Sequence, residues 1–162
     1  MARSGSFGVN YKKSYGTDPS VVEHRLGDLG SDIDGEWVFV KASANVAQYA
    51  FVVITKDNTV AELTTTNATS ASLQVGVAQV ALATNEFGWV WIGGPVGGGL
   101  GKGIRGKALT LYAAEANLFT TATAGCADDT STTLIKNVVG LATVGASTTA
   151  VELKSQGYLS VN

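Results

Sequence analysis

Apolar residues in this chain come in short runs that alternate with polar or small ones, and clusters of Gly, Thr, Ser, Asn and Asp separate the runs. A period of two over four to eight residues predicts strands, and the clusters predict turns. Gly76 to Gly94, GVAQVALATNEFGWVWIGG, is the clearest unit: an alternating run, a polar turn at Thr84-Asn85-Glu86, and a second apolar run ending in paired glycines. Before it, Glu36 to Lys41 alternates weakly, and Tyr49 to Thr55 is an almost continuous β-branched and aromatic run. Lys56-Asp57-Asn58 then predicts a hairpin turn into Thr59 to Leu63. Thr64 to Ser72 reads as a polar loop, Gly93 to Lys107 as a glycine-rich connector, and Ala108 to Ala113 as a return to strand.

The pattern occurs twice. Ala50-Phe51-Val52-Val53-Ile54, a turn and Val60-Ala61 match Ala108-Leu109-Thr110-Leu111-Tyr112, a turn and Leu118-Phe119, at a constant offset of 58 (108 − 50). A Thr/Ala-rich loop follows each. Gly140-Leu141-Ala142 then repeats Gly76-Val77-Ala78, and Val144 repeats Val80. Two copies, about 48–94 and 107–157, with four strands each predict an internally duplicated β-barrel or β-sandwich over residues 35–162.

Residues 1–34 follow neither period and read as an extended N-terminal arm. Asp18 as a cap, Pro19 at the first helical position, and Val22, Leu26 and Leu29 on one side predict a short helix over Pro19 to Leu29. The aromatics Phe7, Tyr11 and Tyr15 point to a segment that orders by lying on another surface.

Composition agrees with strands. Of 162 residues 45% are apolar, enough for a packed core, and glycine is high at 20 while proline is low at 2. The net charge is −2. Residues 1–36 hold six acids and four bases, and residues 37–162 seven of each. Neither part has the basic excess that binds phosphate backbones, so no nucleic-acid partner is expected. No window approaches a membrane span, and the first residues hold no apolar run long enough for a signal peptide. With Cys126 as the single cysteine, no internal disulfide can form, and folding in a reducing cytoplasm is expected.

Candidate chemistry is sparse. Gly101 to Gly106 fits GxGxxG and Gly101 to Lys107 fits GxxxxGK, but phosphate binding needs a helix to follow at once, and ALTLYA reads as a strand. The glycines instead let a loop bend and approach a neighbouring backbone, leaving Lys102, Arg105 and Lys107 as a small basic patch able to meet acids of a partner. His24 is the single histidine, and neither a triad with a His base nor a multi-histidine metal site is expected within one chain. Asp32-Ile33-Asp34-Gly35 resembles part of an EF-hand loop, yet Gly30 and Lys41 occupy its first and twelfth positions. No enzyme activity, cofactor or metal is expected. Trp89 and Trp91 share one strand face with Val90 and Ile92 on the other, so the strand is central, covered by a partner, or a platform for stacking sugars.

Phe87 to Pro95 (FGWVWIGGP), the glycine-rich loop, Leu111 to Gly125, Asp128-Asp129 and Val139 to Ala142 together resemble small structural proteins of tailed-bacteriophage virions, in particular head decoration, or cement, proteins. The resemblance spans roughly residues 37–162. It implies a β-barrel body on the outside of an icosahedral head, often as a homotrimer, with the major capsid protein as partner and the virion surface as location. An arm of about 30 residues could reach on the order of 100 Å if extended. The contact residues expected on this reading are Phe7, Tyr11, Lys12, Lys13 and Tyr15, with the Lys102, Arg105, Lys107 patch and Trp89 and Trp91 as further candidates. The alternative is a carbohydrate-binding or adhesive β module, such as a tail or head-fibre component.

Overall fold

A computed structural model describes residues 9–68, 73–95, 97–99, 103–109, 114–130, 132–141 and 150–161. The protein is all-β. In chain order the strands are β1 (Leu29–Asp32), β2 (Gly35–Ala42), β3 (Phe51–Ile54), β4 (Thr59–Glu62), β5 (Gln74–Ala78) and β6 (Phe87–Gly93). There follow β7 (Gly97–Gly98), β8 (Arg105–Lys107), β9 (Asn117–Thr120), β10 (Ala127–Asp128), β11 (Leu134–Gly140) and β12 (Ala150–Val161).

Five strands close on themselves. β2 pairs in parallel with β4, β4 with β3, β3 with β5, β5 with β6, and β6 returns to β2 through Trp37↔Trp91 and Phe39↔Trp89. Strand alternation sorts the side chains of this ring by size. Val38, Val40, Ala42, Val52, Ile54, Val60, Val90 and Ile92 form one buried cluster. Trp37, Phe39, Phe51, Val53, Val75, Val77, Phe87, Trp89 and Trp91, from the alternate positions, join a second. A five-stranded ring has room for branched aliphatic side chains inside, so the large rings take the outer face. That face is itself covered, which is why both faces of β2 and β6 are apolar.

Two coverings do this. On one side, β12 runs antiparallel to β5 and β6 at Ser160↔Gln74 and Tyr158↔Gly93 and continues the sheet through β11 and β9 to β10. Leu118, Ile135, Leu153, Leu159 and Val161 from this flank join the aromatic cluster. On the other side lies the N-terminal segment, described next. The glycine-rich connector runs against β12, and a Cβ on Gly98 would stand 2.3 Å from the Leu153 carbonyl oxygen, so a bare backbone is required there.

The sequence differs from the structure at two places. Helix over Pro19 to Leu29 shortens to a single 3-10 turn, Pro19–Val21, capped by Asp18 through the Ser20 amide. Gly27, at φ 85°, turns the backbone onto the sheet, where its amide and the Asp28 carbonyl bond Phe39, so Leu29 starts a strand. The run from Gly76 stops as a strand at Ala78. Residues 79–86 form a connection bridged at Val46↔Leu82, with Asn85 at φ 70° taking the turn. In the second copy, β9, offset from β4 by 58 (117 − 59), pairs with β11 and β10. Thr110–Ala113 and 142–149, which hold much of the matching sequence, lie outside the described residues.

Candidate functional site

The first chemistry-bearing region is the N-terminal segment on the aromatic face. From Val9 onward it lies along the body. The Tyr15 amide donates to the Phe87 carbonyl at 2.9 Å and the Phe87 amide to the Gly16 carbonyl at 3.0 Å, which ties the segment to β6. Tyr11 stacks on Trp37 with ring centroids 4.4 Å apart and planes 7° off parallel, while Tyr15 meets Phe39 edge-on at 5.3 Å. His24 sits in the same nest, 5.2 Å from Phe39 and 5.0 Å from Trp89. Lys12 and Lys13 lie outside it, each with its ammonium over a tyrosine ring, at 5.8 Å from Tyr11 and 5.0 Å from Tyr15.

The Asp32-to-Gly35 motif is a hairpin. Asp32 pairs with Gly35 across a two-residue turn, and the Asp32 carboxylate accepts both the Asp34 amide at 2.8 Å and the Trp37 indole N–H at 2.9 Å. The Trp91 indole donates to the Asp34 carbonyl at 2.9 Å. This turn therefore anchors two tryptophans of the aromatic face. Burial, and after it the charges of Asp34 and Asp32, push the Tyr11 hydroxyl above the ordinary phenol range.

Sequence-predicted contact residues separate into groups. Tyr11 and Tyr15 spend one side on their own body. Trp89 and Trp91 are buried beneath it, so neither offers a ring face for a sugar. Arg105 is exposed on β8, and Lys107 is half-buried with its amide on the Tyr49 carbonyl. Phe7 and Lys102 lie outside the described residues. Cys126 is buried, and that burial raises its thiol pKa. Missed by the sequence reading were Trp37 and Phe39 as the floor under the N-terminal segment. Their placement opposite Trp91 and Trp89 follows from register, which no local pattern announces.

A second region is an open groove of about 430 Å³ lined by Tyr11, Lys12, Gln48, Tyr49, Gln79, Val80 and Gly103. A third is a surface in which Val21, Leu26, Leu29 and Ile33 are exposed along the N-terminal segment and edge strand β1. The chain matches no protein-family model, and no curated protein or solved structure resembles it at a significant level.

Proposed function

We propose that the protein is a structural component of a phage virion that binds the outer surface of the head, as a homotrimer on the major capsid protein, and stabilises the shell by bridging capsid subunits. The observation that carries this reading is a set of apolar side chains left exposed along the N-terminal segment and the first hairpin. Val21, at the end of the 3-10 turn, and Leu29, at the start of edge strand β1, are 70% exposed, and Ile33, in the turn after β1, is 78% exposed. Large apolar side chains left exposed mark a surface that gains by being covered. Each 100 Å² covered contributes roughly 2.5 kcal/mol of gross stabilisation. A ligand that binds only the assembled shell stabilises it by mass action. The sequence resemblance to head decoration proteins supplies the setting.

The test is co-sedimentation of the purified protein with empty, expanded phage heads lacking it, beside a variant carrying Val21→Ser, Leu29→Ser and Ile33→Ser. These side chains are exposed, so the variant keeps its fold. The expected result is saturable binding of the parent at a fixed ratio to the capsid subunit, greater resistance of the heads to heat, and binding weakened at least tenfold in the variant. A folded parent protein that ignores the heads overturns the reading. Equal binding by the variant would move the contact away from this edge.

A further inference from the structure

We infer that the groove between the N-terminal segment and the turn before β3 is a binding site for a neutral oligosaccharide, independent of head binding and separate from the buried tryptophans. Its walls are Tyr11 and Lys12 on one side and Gln48, Tyr49, Gln79 and Val80 on the other. The volume of about 430 Å³ falls within the range of small-molecule sites, and the groove is open, as a chain of sugar rings requires.

Tyr49 is the first observation. It holds a left-handed backbone at φ 65°, a conformation that glycine and asparagine take readily and a bulky residue rarely does. Two strong backbone bonds enforce it: the Tyr49 amide donates to the Ala78 carbonyl at 2.7 Å, and its carbonyl accepts from the Lys107 amide at 2.8 Å. Strained conformations of this kind cluster at ligand sites, because the surroundings must over-determine them. Here the strain sets a tyrosine ring in the groove wall where a glycine would have served the turn better.

The rest of the wall is rigid and has polar groups to spare. Tyr11 is held in plane by its stack on Trp37. Gln79, 95% buried, uses both ends of its amide on Arg105, donating to the carbonyl at 2.8 Å and accepting from the amide at 3.0 Å. Gln48 donates to the Gln79 carbonyl at 3.2 Å, which leaves its amide oxygen as an acceptor. Among the described residues, the hydroxyls of Tyr11 and Tyr49 form no hydrogen bond with another residue, and the Lys12 ammonium has no carboxylate partner.

The Tyr49 ring can stack on the C–H face of a sugar, the Gln48 amide oxygen and the Tyr11 hydroxyl can bond its hydroxyls, and the Lys12 ammonium can donate to them. The charge argues for a neutral ligand. Lys12 stands on one wall, but Asp34 and Asp32 are close enough to raise the Tyr11 pKa, so an anion gains little there.

The experiment follows backbone and Gln side-chain amide resonances of the intact protein during titration with maltotetraose, cellotetraose and N-acetylchitotetraose, with polyglutamate as the acidic-peptide comparison. The expected result is that at least one sugar shifts the Gln48 side-chain amide and the amides of residues 46–50 and 79–80, saturating at roughly millimolar concentration. Tyr49→Gly relieves the backbone strain, so it keeps or raises the melting temperature while weakening binding about tenfold. Gln48→Ala, at an exposed position, provides a second weakened variant. The inference is overturned if no sugar moves these resonances, if Tyr49→Gly binds as well as the parent, or if polyglutamate alone binds.

Discussion

Gly35 shows how much of the architecture rests on one missing side chain. It follows the Asp32 turn at φ 131°, and a Cβ built on it would stand 2.4 Å from the Gly93 carbonyl oxygen and 2.7 Å from the Trp91 indole nitrogen. Gly35→Ala would strain the backbone and push on the indole that donates to the Asp34 carbonyl, so the Glu36–Gly93 end of the β2–β6 pairing must shift. The expected cost is about 2 kcal/mol or more, read as a lower denaturant midpoint with an unchanged slope. A midpoint equal to the parent's would show that the turn relaxes freely and that this close approach is not a constraint. The role of Gly35 was not visible locally. Asp-Ile-Asp-Gly has the composition of a cation loop, and its hold on Trp91, which lies on β6 far along the chain, belongs to tertiary pairing that no local pattern announces.

At the scale of elements, the N-terminal segment acts as a cover for the ring's aromatic face. Tyr11, Tyr15 and Val22 pack against the core cluster, and backbone bonds from Tyr15 and Gly27 secure the segment at two points. A chain beginning at Asp28 keeps β1 but uncovers Trp37, Phe39 and Trp89 on that side. Loss of two packed tyrosines should cost about 3 kcal/mol or more, with tryptophan emission shifted to longer wavelength in a body that still melts cooperatively. Emission unchanged from the parent would mean that the segment adds no burial. Legibility in the sequence follows the same division. β3, β4 and β6 were readable as runs of β-branched and aromatic residues bounded by turn residues, and Lys56-Asp57-Asn58 declares the turn between β3 and β4. The doubly apolar character of β6 left a central strand, a partner-covered one and a sugar platform open, and its full burial selects the first. Where the tyrosines of the N-terminal segment dock was not, because docking depends on tertiary contacts between residues without a local period. The groove was equally hidden: Gln48 and Gln79 meet across a distance of 31 positions, and the strain at Tyr49 belongs to backbone geometry alone.

At the scale of the whole molecule, the last strand holds the two parts together. β12 contributes Leu153, Leu159 and Val161 to the core, all fully buried, and pairs with β5, β6, β7, β8 and β11. The ring formed by β2 to β6 therefore presents an incomplete apolar face until residues near the end of the chain arrive. Pairings so distant in sequence pay loop-closure entropy before they gain contacts, so refolding should be slow for a protein of this size, in milliseconds to seconds. The same topology predicts that a chain ending at residue 149 will not give a cooperative thermal transition, because Gln74, Gly93 and Gly97–Gly98 lose their neighbour and Trp91 loses part of its cover. A separate peptide of residues 150–162 should restore the transition by supplying the missing strand in trans, as added strands do at open sheet edges. Calorimetry of the truncated chain with and without the peptide decides the matter. A cooperative transition of the truncated chain alone, near the parent's melting temperature, would show the ring to be self-sufficient and β12 to be an accessory to it.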